Sequence, residues 1–445
     1  MKSFFFLFGQ KKPGDHLFEF SIGELKSVAK TLNIVLKIKD NDLNNINNAS
    51  YAIVELESCD HVKMMLPRLI LCKCVIELWG QGASFPDLNR DLEQNLNDEK
   101  LLLLNENVSF CMRVKGIMKK VSMAEQRQKM EMITDEAFPV KGNVNLKAPD
   151  QEYYLFEDYT ELKDNNYPKF LFFGRLVGEG PRKLLDTYAL PKRKFIGNTS
   201  MEPEMSFFMA NVAQVVKGSF VLDPFVGSGS ILVSAAHFGG YVCGGDINYN
   251  IVHAVGKSSK HNVINRAKDE SILTNLKQYG LQDKYVDILI ADAAKHPWKT
   301  AVPIFDAIIT DPPYGIRESS RKVGHKKEDM NAWDDCAQHY PEKKQYHLDQ
   351  VFKDLLNFSA ASLVVGGRLV YFLPVNRNEY TDDFVPKHPS LTLVGNYEQV
   401  LNNHSSRRLI VMEKTTSSVE SHQSSINSDF YSVSNSFRNF YFNGK

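Results

Sequence analysis

Asp311-Pro312-Pro313-Tyr314-Gly315 directly follows the apolar segment Phe305–Thr310. That segment has the length of a β-strand, and two consecutive prolines must end it because proline lacks the N–H group that a sheet ladder needs. Strands and helices alternate from Phe220 onwards, a pattern typical of a doubly wound parallel sheet. Such sheets bind ligands at the carboxyl ends of their strands. We therefore expect the Asp-Pro-Pro-Tyr turn at a ligand-binding edge.

The turn would hold the Asp311 carboxylate, the Pro312 carbonyl and the Tyr314 ring together, and these groups suit methylation of an aromatic amine. Such a nitrogen is a poor nucleophile because its lone pair is delocalised. If Asp311 and the Pro312 carbonyl each accept one N–H, the lone pair turns towards the incoming methyl group, and the carboxylate can take the released proton. Tyr314 would stack on the ring. Positioning of this kind needs neither a metal nor a covalent nucleophile. The alternative is a stiff loop after a strand.

A second Asp-Pro pair opens the stretch Asp223-Pro224-Phe225-Val226-Gly227-Ser228-Gly229, whose first residue lies 88 positions before Asp311. Its glycines let the backbone approach a ligand at a helix N-terminus. Asp246 ends the next predicted strand, where a carboxylate can hold both ribose hydroxyls. A dinucleotide fits less well, because Leu232 occupies the third glycine position of the usual phosphate-binding pattern.

Asp292 follows the third predicted strand and is expected to accept a hydrogen bond from an adenine amine, while Ile247 would pack on the ring. One acidic residue at each of three strand ends, with Asp311 at the fourth, predicts a site for S-adenosylmethionine. Taken singly, each would be an ordinary strand-ending residue. The predicted donor-binding residues are Asp223, Phe225, Gly227, Gly229, Asp246, Ile247 and Asp292.

Length and composition set the broad class. The chain has 445 residues, 43% of them hydrophobic, which predicts two or three packed domains. Lys plus Arg and Asp plus Glu both number 53, so nucleic-acid binding would depend on local basic patches. Six scattered cysteines indicate a reducing compartment, and the apolar start is too short for a signal peptide. We expect a cytoplasmic protein with no membrane span.

The predicted organisation has four parts. Residues 1–175 form a mixed α+β region, in which Ser21-Ile22-Gly23-Glu24 predicts a helix start and residues 144–149 a strand. Residues 176–200 form a basic linker, residues 201–414 the doubly wound domain, and residues 415–445 a disordered, Ser-rich tail. The basic stretches 182–194 and 317–327 are either solvated loops or phosphate contacts.

Three stretches, Arg193–Met205, Leu222–Gly229 and Asp311–Gly315, lie behind an N-terminal half similar to a ferredoxin-like segment and a THUMP domain. With them the chain resembles the tRNA guanosine N2-methyltransferases that act at position ten, the catalytic subunit of the eukaryotic enzyme. Glu202 stands where that family more often has Asp, outside the reacting centre.

That resemblance implies a class I methyltransferase domain of the Rossmann-like type and methyl transfer from S-adenosylmethionine to the guanine 2-amino group of a tRNA. It assigns the donor to Asp223, Gly227, Gly229, Asp246 and Asp292, and the base to Asp311, Pro312 and Tyr314. The guanine must then leave its stack.

The resemblance also implies a small zinc-binding activator subunit. In the usual strand order, residues 286–290 form an edge strand, and their run Val-Asp-Ile-Leu-Ile is unusually apolar for an exposed edge. We expect the partner to add a strand there.

Three alternatives differ in substrate or in class. The same turn serves DNA adenine methylation, although no target-recognition insertion is visible. A protein-glutamine methyltransferase usually has Asn in place of Asp311. A non-catalytic RNA-binding module would be expected to lose one of Gly227, Gly229, Asp246 or Asp311. The sequence leaves open which tRNAs are used, whether a second methyl is added and what the tail does.

Overall fold

A computed structural model describes residues 1–9, 17–39, 50–160, 167–260, 263, 265–299, 302–314, 320–324, 343–417 and 424–426. The chain divides into two compact units, Met1–Leu184 and Leu185–Lys445. Within the described ranges no helix is both long and apolar enough to cross a bilayer.

The first unit is built on a seven-stranded sheet with the order β2-β3-β1-β4-β7-β6-β5. Its strands are β1 Lys2–Phe8, β2 Lys37–Ile38, β3 Tyr51–Leu56, β4 Cys72–Gly82, β5 Phe110–Ile117, β6 Gln151–Asp158 and β7 Phe170–Glu179. Its helices are α1 Leu17–Thr31, α2 Cys59–Met65, α3 Phe85–Asn95, α4 Asp98–Leu102 and α5 Met123–Glu131, with a 3-10 turn at Leu66–Arg68. Helix α6, Arg182–Thr187, spans the point of division.

Strand β1 explains why this sheet is buried on both faces. Side chains alternate along a strand, so Phe4, Phe6 and Phe8 enter one core cluster. Phe5 and Leu7 enter the cluster on the opposite face. The pairs are antiparallel except for β5 and β6, which run parallel. The predicted α+β character of this half is confirmed.

Two local expectations for the first unit are wrong. Helix α1 begins at Leu17, four residues before the expected capping box, and the Glu24 carboxylate accepts the Leu71 N–H at 2.9 Å. Residues 144–149 do not form a strand beyond one bridge between Val144 and Phe110. The Asn145 side chain accepts the N–H groups of Lys147 and Ala148, both at 3.1 Å, which turns the chain.

The second unit contains a seven-stranded sheet with the order β10-β9-β8-β11-β14-β16-β15. Its strands are β8 Phe220–Asp223, β9 Tyr241–Asp246, β10 Tyr285–Ile290, β11 Phe305–Thr310, β14 Leu363–Asn376, β15 Leu391–Val400 and β16 Ser405–Lys414. Strands β12 Arg321–Val323 and β13 Lys343–Gln345 pair separately. Its helices are α7 Pro203–Val212, α8 Ser230–His237, α9 Tyr249–Val252, α10 Ile272–Gln278 and α11 Leu348–Ser362. Shorter 3-10 turns lie at Leu190–Lys192, Gln282–Lys284, Ala293–Lys295 and Asp382–Phe384.

The direction of the strands in this sheet fixes where a site can form. Strands β10, β9, β8, β11 and β14 run parallel, whereas β16 runs antiparallel to both β14 and β15. The order reverses between the neighbouring strands β8 and β11, so the chain leaves their carboxyl ends in opposite directions and a crevice forms between the two loops. The predicted doubly wound class is confirmed.

Part of the C-terminal tail is described. The backbone N–H and C=O of Ser425 pair with Lys387, and the Ser424 N–H donates to Asn357 at 2.9 Å. Ile426 packs against the core of the second unit. This contact differs from the disorder expected of the tail, of which residues 418–423 and 427–445 lie outside the described part.

Candidate active site

The predicted catalytic turn begins directly after β11, at the crevice where the strand order reverses. Asp311 follows Thr310, the last residue of the strand, and Pro312 is buried beneath the turn. The Asp311 side chain is 26% exposed, and its Oδ1 atom is buried without a hydrogen-bond partner among the described residues. The turn therefore holds one carboxylate oxygen with unused hydrogen-bonding capacity, which a ligand can reach once the atoms that cover it move. Gly315 lies outside the described residues.

The other oxygen of Asp311 is held by a guanidinium from β16, which is two strands away from β11 in the same sheet. Arg407 Nη1 donates to Asp311 Oδ2 at 3.0 Å and lies 3.4 Å from the Tyr314 hydroxyl. Burial raises the pKa of Asp311, and the Arg407 charge opposes that rise. Arg407 lies on β16 opposite Pro374 near the carboxyl end of β14, so the antiparallel strand delivers it to this edge.

Asp223 links the two sequence motifs. It is 1% exposed, and its Oδ1 accepts the Thr310 hydroxyl at 2.7 Å and the Phe225 N–H at 3.0 Å. Burial raises the pKa of Asp223 to about 7, and the nearby Asp246 and Asp311 carboxylates push it the same way. Because Thr310 precedes Asp311, this carboxylate fastens the glycine-containing loop after β8 to the Asp-Pro-Pro-Tyr turn after β11.

The loop after β8 is shaped by two glycines with positive φ. Gly227 has a φ of 50° and Gly229 a φ of 77°, a region that other residues avoid. A Cβ at Gly227 would meet no described atom within 4 Å, whereas one at Gly229 would lie 2.7 Å from Ile272. Gly227 thus faces open space, and Gly229 lets helix α10 pack closely.

The carboxylate at the end of β9 organises the same loop. Asp246 Oδ2 accepts the Gly227 N–H at 3.0 Å, and Oδ1 accepts the Asn248 N–H at 2.8 Å. A carboxylate that holds the loop in this way lies at the strand end where the sequence predicts the ribose hydroxyls. Ile247 follows at the same edge and is half-buried.

Asp292 follows β10, and both of its carboxylate oxygens already accept hydrogen bonds from the protein backbone. Its Oδ1 accepts the Ala294 N–H at 2.9 Å, and its Oδ2 accepts the Val323 N–H of β12 at 2.8 Å. The adjoining cavity, of about 20 Å³, is lined by Phe225, Asp292, His296, Trp298, Tyr346 and Leu355, among others. Such a volume holds about one water molecule, so an adenine ring there requires these side chains to move.

The basic residues of stretches 182–194 and 317–327 differ in how exposed they are. Arg193 is 1% exposed and donates to the Ser230 hydroxyl at 2.8 Å and the Tyr188 carbonyl at 3.3 Å. A role for Arg193 in phosphate contact is therefore wrong, since its charge is buried beneath helix α8. Lys192 is exposed and pairs with Asp186. Arg317, Lys326 and Lys327 lie outside the described residues.

Two residues of this site were missed by sequence reasoning. Arg407 is separated from Asp311 by 96 positions and carries no motif, so only the register of β16 reveals it. Ser200 is the last residue of the predicted basic linker, and its hydroxyl lies 2.6 Å from that of Ser228 in the glycine-containing loop.

Among the described residues, no group of three His, Cys, Asp or Glu side chains could hold a metal ion.

Two family models match the chain. Residues 14–182 match the Tmrp11 THUMP N-terminal domain, and residues 191–327 match the RMKL-like methyltransferase domain.

Full-length relatives are similar along almost the whole chain. The tRNA (guanine(10)-N2)-methyltransferase of Xenopus laevis is 42% identical over 436 residues, which cover 96% of this chain and 89% of that protein. The human protein of the same name is 43% identical, covering 88% and 86%, and the Saccharomyces cerevisiae protein is 33% identical, covering 89% and 90%. A crystal structure of TrmN from Thermus thermophilus covers 93% of this chain and 99% of its own, with a TM-score of 0.43 and 19% identity, too distant to bear on the site.

Proposed function

This chain belongs to the tRNA (guanine(10)-N2)-methyltransferase family, and on that premise we propose how its own residues perform the reaction. It transfers a methyl group from S-adenosylmethionine to the exocyclic N2 of guanosine 10 in tRNA. The observation that carries our assignment is the buried, unpartnered Oδ1 of Asp311 in a turn fastened to the glycine-containing loop.

The residues at the donor side fit a nucleoside. The backbone at Gly227 faces open space, and the Asp246 carboxylate lies beside it and accepts its N–H. We assign the ribose hydroxyls to Asp246, the adenine amine to Asp292, and the ring faces to Phe225 and Ile247. We assign to Asp223 a supporting role, because both of its named partners are protein groups. When bound, S-adenosylmethionine supplies an electrophilic methyl group.

The residues at the acceptor side orient the guanine amine. Asp311 Oδ1 accepts one N–H of the amine, and the carbonyl of Pro312 accepts the other. The nitrogen lone pair is then directed away from both oxygens and towards the donor. The amine loses one proton on methylation, and Asp311 Oδ1 is the atom placed to accept it. Tyr314 stacks on the face of the flipped base, while Asp311 and the Pro312 carbonyl replace the hydrogen bonds that its amine loses.

The test of this assignment starts from an unmodified tRNA transcript and donor labelled in its methyl group. After incubation with the enzyme and any activator subunit it requires, nuclease digestion and mass spectrometry locate the label. We expect N2-methylguanosine at position ten and no label in a transcript with adenosine there. If the enzyme instead methylated adenine in duplex DNA, the alternative substrate would be the correct one.

We further propose that a small zinc-binding activator subunit adds a strand to β10. Strand β10 is at one edge of the sheet, with β9 as its neighbour in that sheet. Val286 is 48% exposed and Ile290 is 51% exposed, near the two ends of the strand. An apolar edge strand left in water invites pairing with another chain.

The opposite edge of the same sheet provides the control for this docking surface. Val394 on β15 is 45% exposed, close to the value for Val286. We expect Ile290→Glu to abolish co-purification with the partner and Val394→Glu to preserve it. A chain that is monodisperse and fully active alone would contradict the need for a partner, and equal binding by both variants would contradict the location.

We place the protein in the cytoplasm. The five cysteines in the described part of the chain are free thiols, and four of them are buried, which is typical of proteins from a reducing compartment. Fluorescence microscopy of the tagged chain would check this, with concentration in an organelle as the contrary result.

A further inference from the structure

Arg407 has four neighbours that together fix its position. Its guanidinium lies 3.8 Å from the centre of the Phe372 ring, and its Nε donates to Gln399. Its Nη1 reaches Asp311 Oδ2 and approaches the Tyr314 hydroxyl. The side chain is 17% exposed, so these contacts occur largely away from bulk water. A stacked, planar guanidinium of this kind has little freedom to swing.

We propose that Arg407 is a positioning residue for methyl transfer, which holds Asp311 by one oxygen so that the other faces the guanine amine. The inference depends on the role proposed for Asp311. A carboxylate can rotate about its side-chain torsions, and a single strong hydrogen bond to Oδ2 removes that freedom. The amine then meets an acceptor already oriented.

The same contact favours the ionised form of Asp311, which an amine-binding acceptor requires. Burial disfavours the charged form of Asp311, and Asp223 at the end of β8 lies close enough for the Asp311 charge to raise the Asp223 pKa. Arg407 from β16 supplies the opposing positive charge, and Tyr314 in the same turn contributes a hydroxyl. A protonated Asp311 would offer a donor where the amine needs an acceptor, so loss of Arg407 should weaken catalysis most at low pH.

The next residue on the strand provides a matched control. Arg408 is 16% exposed, pairs with Glu398 and stacks on Tyr380 at 4.7 Å, but its side chain emerges on the other face of the sheet. Replacing either arginine by methionine removes a stacked, paired guanidinium. Only one of the two changes removes a contact to the catalytic turn.

The experiment compares Arg407→Met, Arg407→Lys and Arg408→Met in single-turnover methylation across pH. For Arg407→Met we expect the rate to fall by about 100-fold, with donor and tRNA binding within about twofold of wild type. The acid limb of its pH profile should move to higher pH, and added guanidinium ion should partly restore the rate. Arg407→Lys should lie between, with an acid limb near that of wild type, and Arg408→Met should match wild type in both readouts.

A double-mutant cycle separates positioning from folding. On an Asp311→Asn background, which removes the carboxylate, Arg407→Met should lower the rate by less than about threefold further. Full additivity, or a rate loss without a change in pH profile or rescue, would overturn the inference. If Asp311→Asn itself keeps the wild-type rate, the proposed role of Asp311 fails instead. If Arg407→Met does not fold, the pH profile of Arg407→Lys decides. Because lysine keeps the positive charge, an acid limb that moves clearly to higher pH in this variant contradicts the proposal.

Discussion

The carboxylates on the donor side and the acceptor side of the crevice are held in different ways. Asp246 and Asp292 each accept backbone N–H groups with both of their oxygens. Asp311 is held through one oxygen by a single side chain, and its other oxygen has no partner among the described residues. The donor side is therefore held by backbone N–H groups, whereas the acceptor side is held by one side chain from a distant strand.

That difference suits the two tasks. A donor site used in every turnover benefits from a loop that is already shaped, since less ordering entropy is lost on binding. An acceptor that must grip an amine and take a proton benefits from an oxygen whose hydrogen-bonding capacity is still available. We therefore expect changes on the two sides to affect different kinetic quantities.

The largest separation should come from Asp311→Asn. Asparagine keeps the shape but cannot take the proton, so we expect kcat to fall by roughly 1,000-fold or more while donor binding stays within about twofold. Rapid-quench methylation and calorimetric titration with donor measure the two quantities. The control is Asp306→Asn, an exposed carboxylate on the same strand. Equal loss of donor binding would erase the distinction between the two sides.

The converse change is Asp246→Ala. Loss of charged hydrogen bonds to the ribose and to Gly227 should weaken donor binding by about 10- to 100-fold, since such bonds contribute roughly 1.5–3 kcal/mol. At saturating donor, kcat should recover to within about fivefold of wild type. Titration of donor at fixed tRNA checks both, with Asp283→Ala as an exposed-carboxylate control. A kcat that stays low at saturation would assign Asp246 to the chemistry as well.

Asp223, which joins the two sides, should affect stability more than either reaction step. Its pKa of about 7 in the folded protein is above the ordinary value of 3.8. The folded state therefore binds the proton more tightly, and the stability from this group, complete below about pH 4, is lost as pH rises through 7.

Asp223→Asn tests that linkage by removing the ionisation while keeping an oxygen for Thr310 and Phe225. Between pH 5 and pH 8, wild type should lose about 2–3 kcal/mol of unfolding free energy from this group, and the variant should not. Urea unfolding of both proteins across that range measures the difference. Parallel pH dependence in the two would mean that the carboxylate is already ionised at pH 5.

The sequence predicted correctly those features that depend on residues close together along the chain. The prolines after Asp311 and the glycines at 227 and 229 are local instructions, and the structure has strand ends and turns where they indicated. The capping-box pattern at Ser21 misled because tertiary packing gave Glu24 a different partner, the Leu71 N–H. Local pattern alone does not decide between two such partners.

The parts that sequence could not reach depend on register. Val323 reaches Asp292 from a separate two-stranded sheet, and Arg407 reaches Asp311 because β16 pairs with β14 in one particular alignment. A shift of one residue along β16 would turn Arg407 to the opposite face and bring Arg408 to the crevice instead. No motif near either residue encodes that alignment.

The insertion of β16 between β14 and β15 has a consequence during synthesis. A ribosome must translate nearly a hundred residues beyond the Asp-Pro-Pro-Tyr turn before the strand that steadies Asp311 exists. Until residues 405–414 emerge and pair, the nascent domain has an unpaired β14 edge and an acceptor without its guanidinium. We therefore expect a chain that ends before residue 405 to lack the contact that holds Asp311.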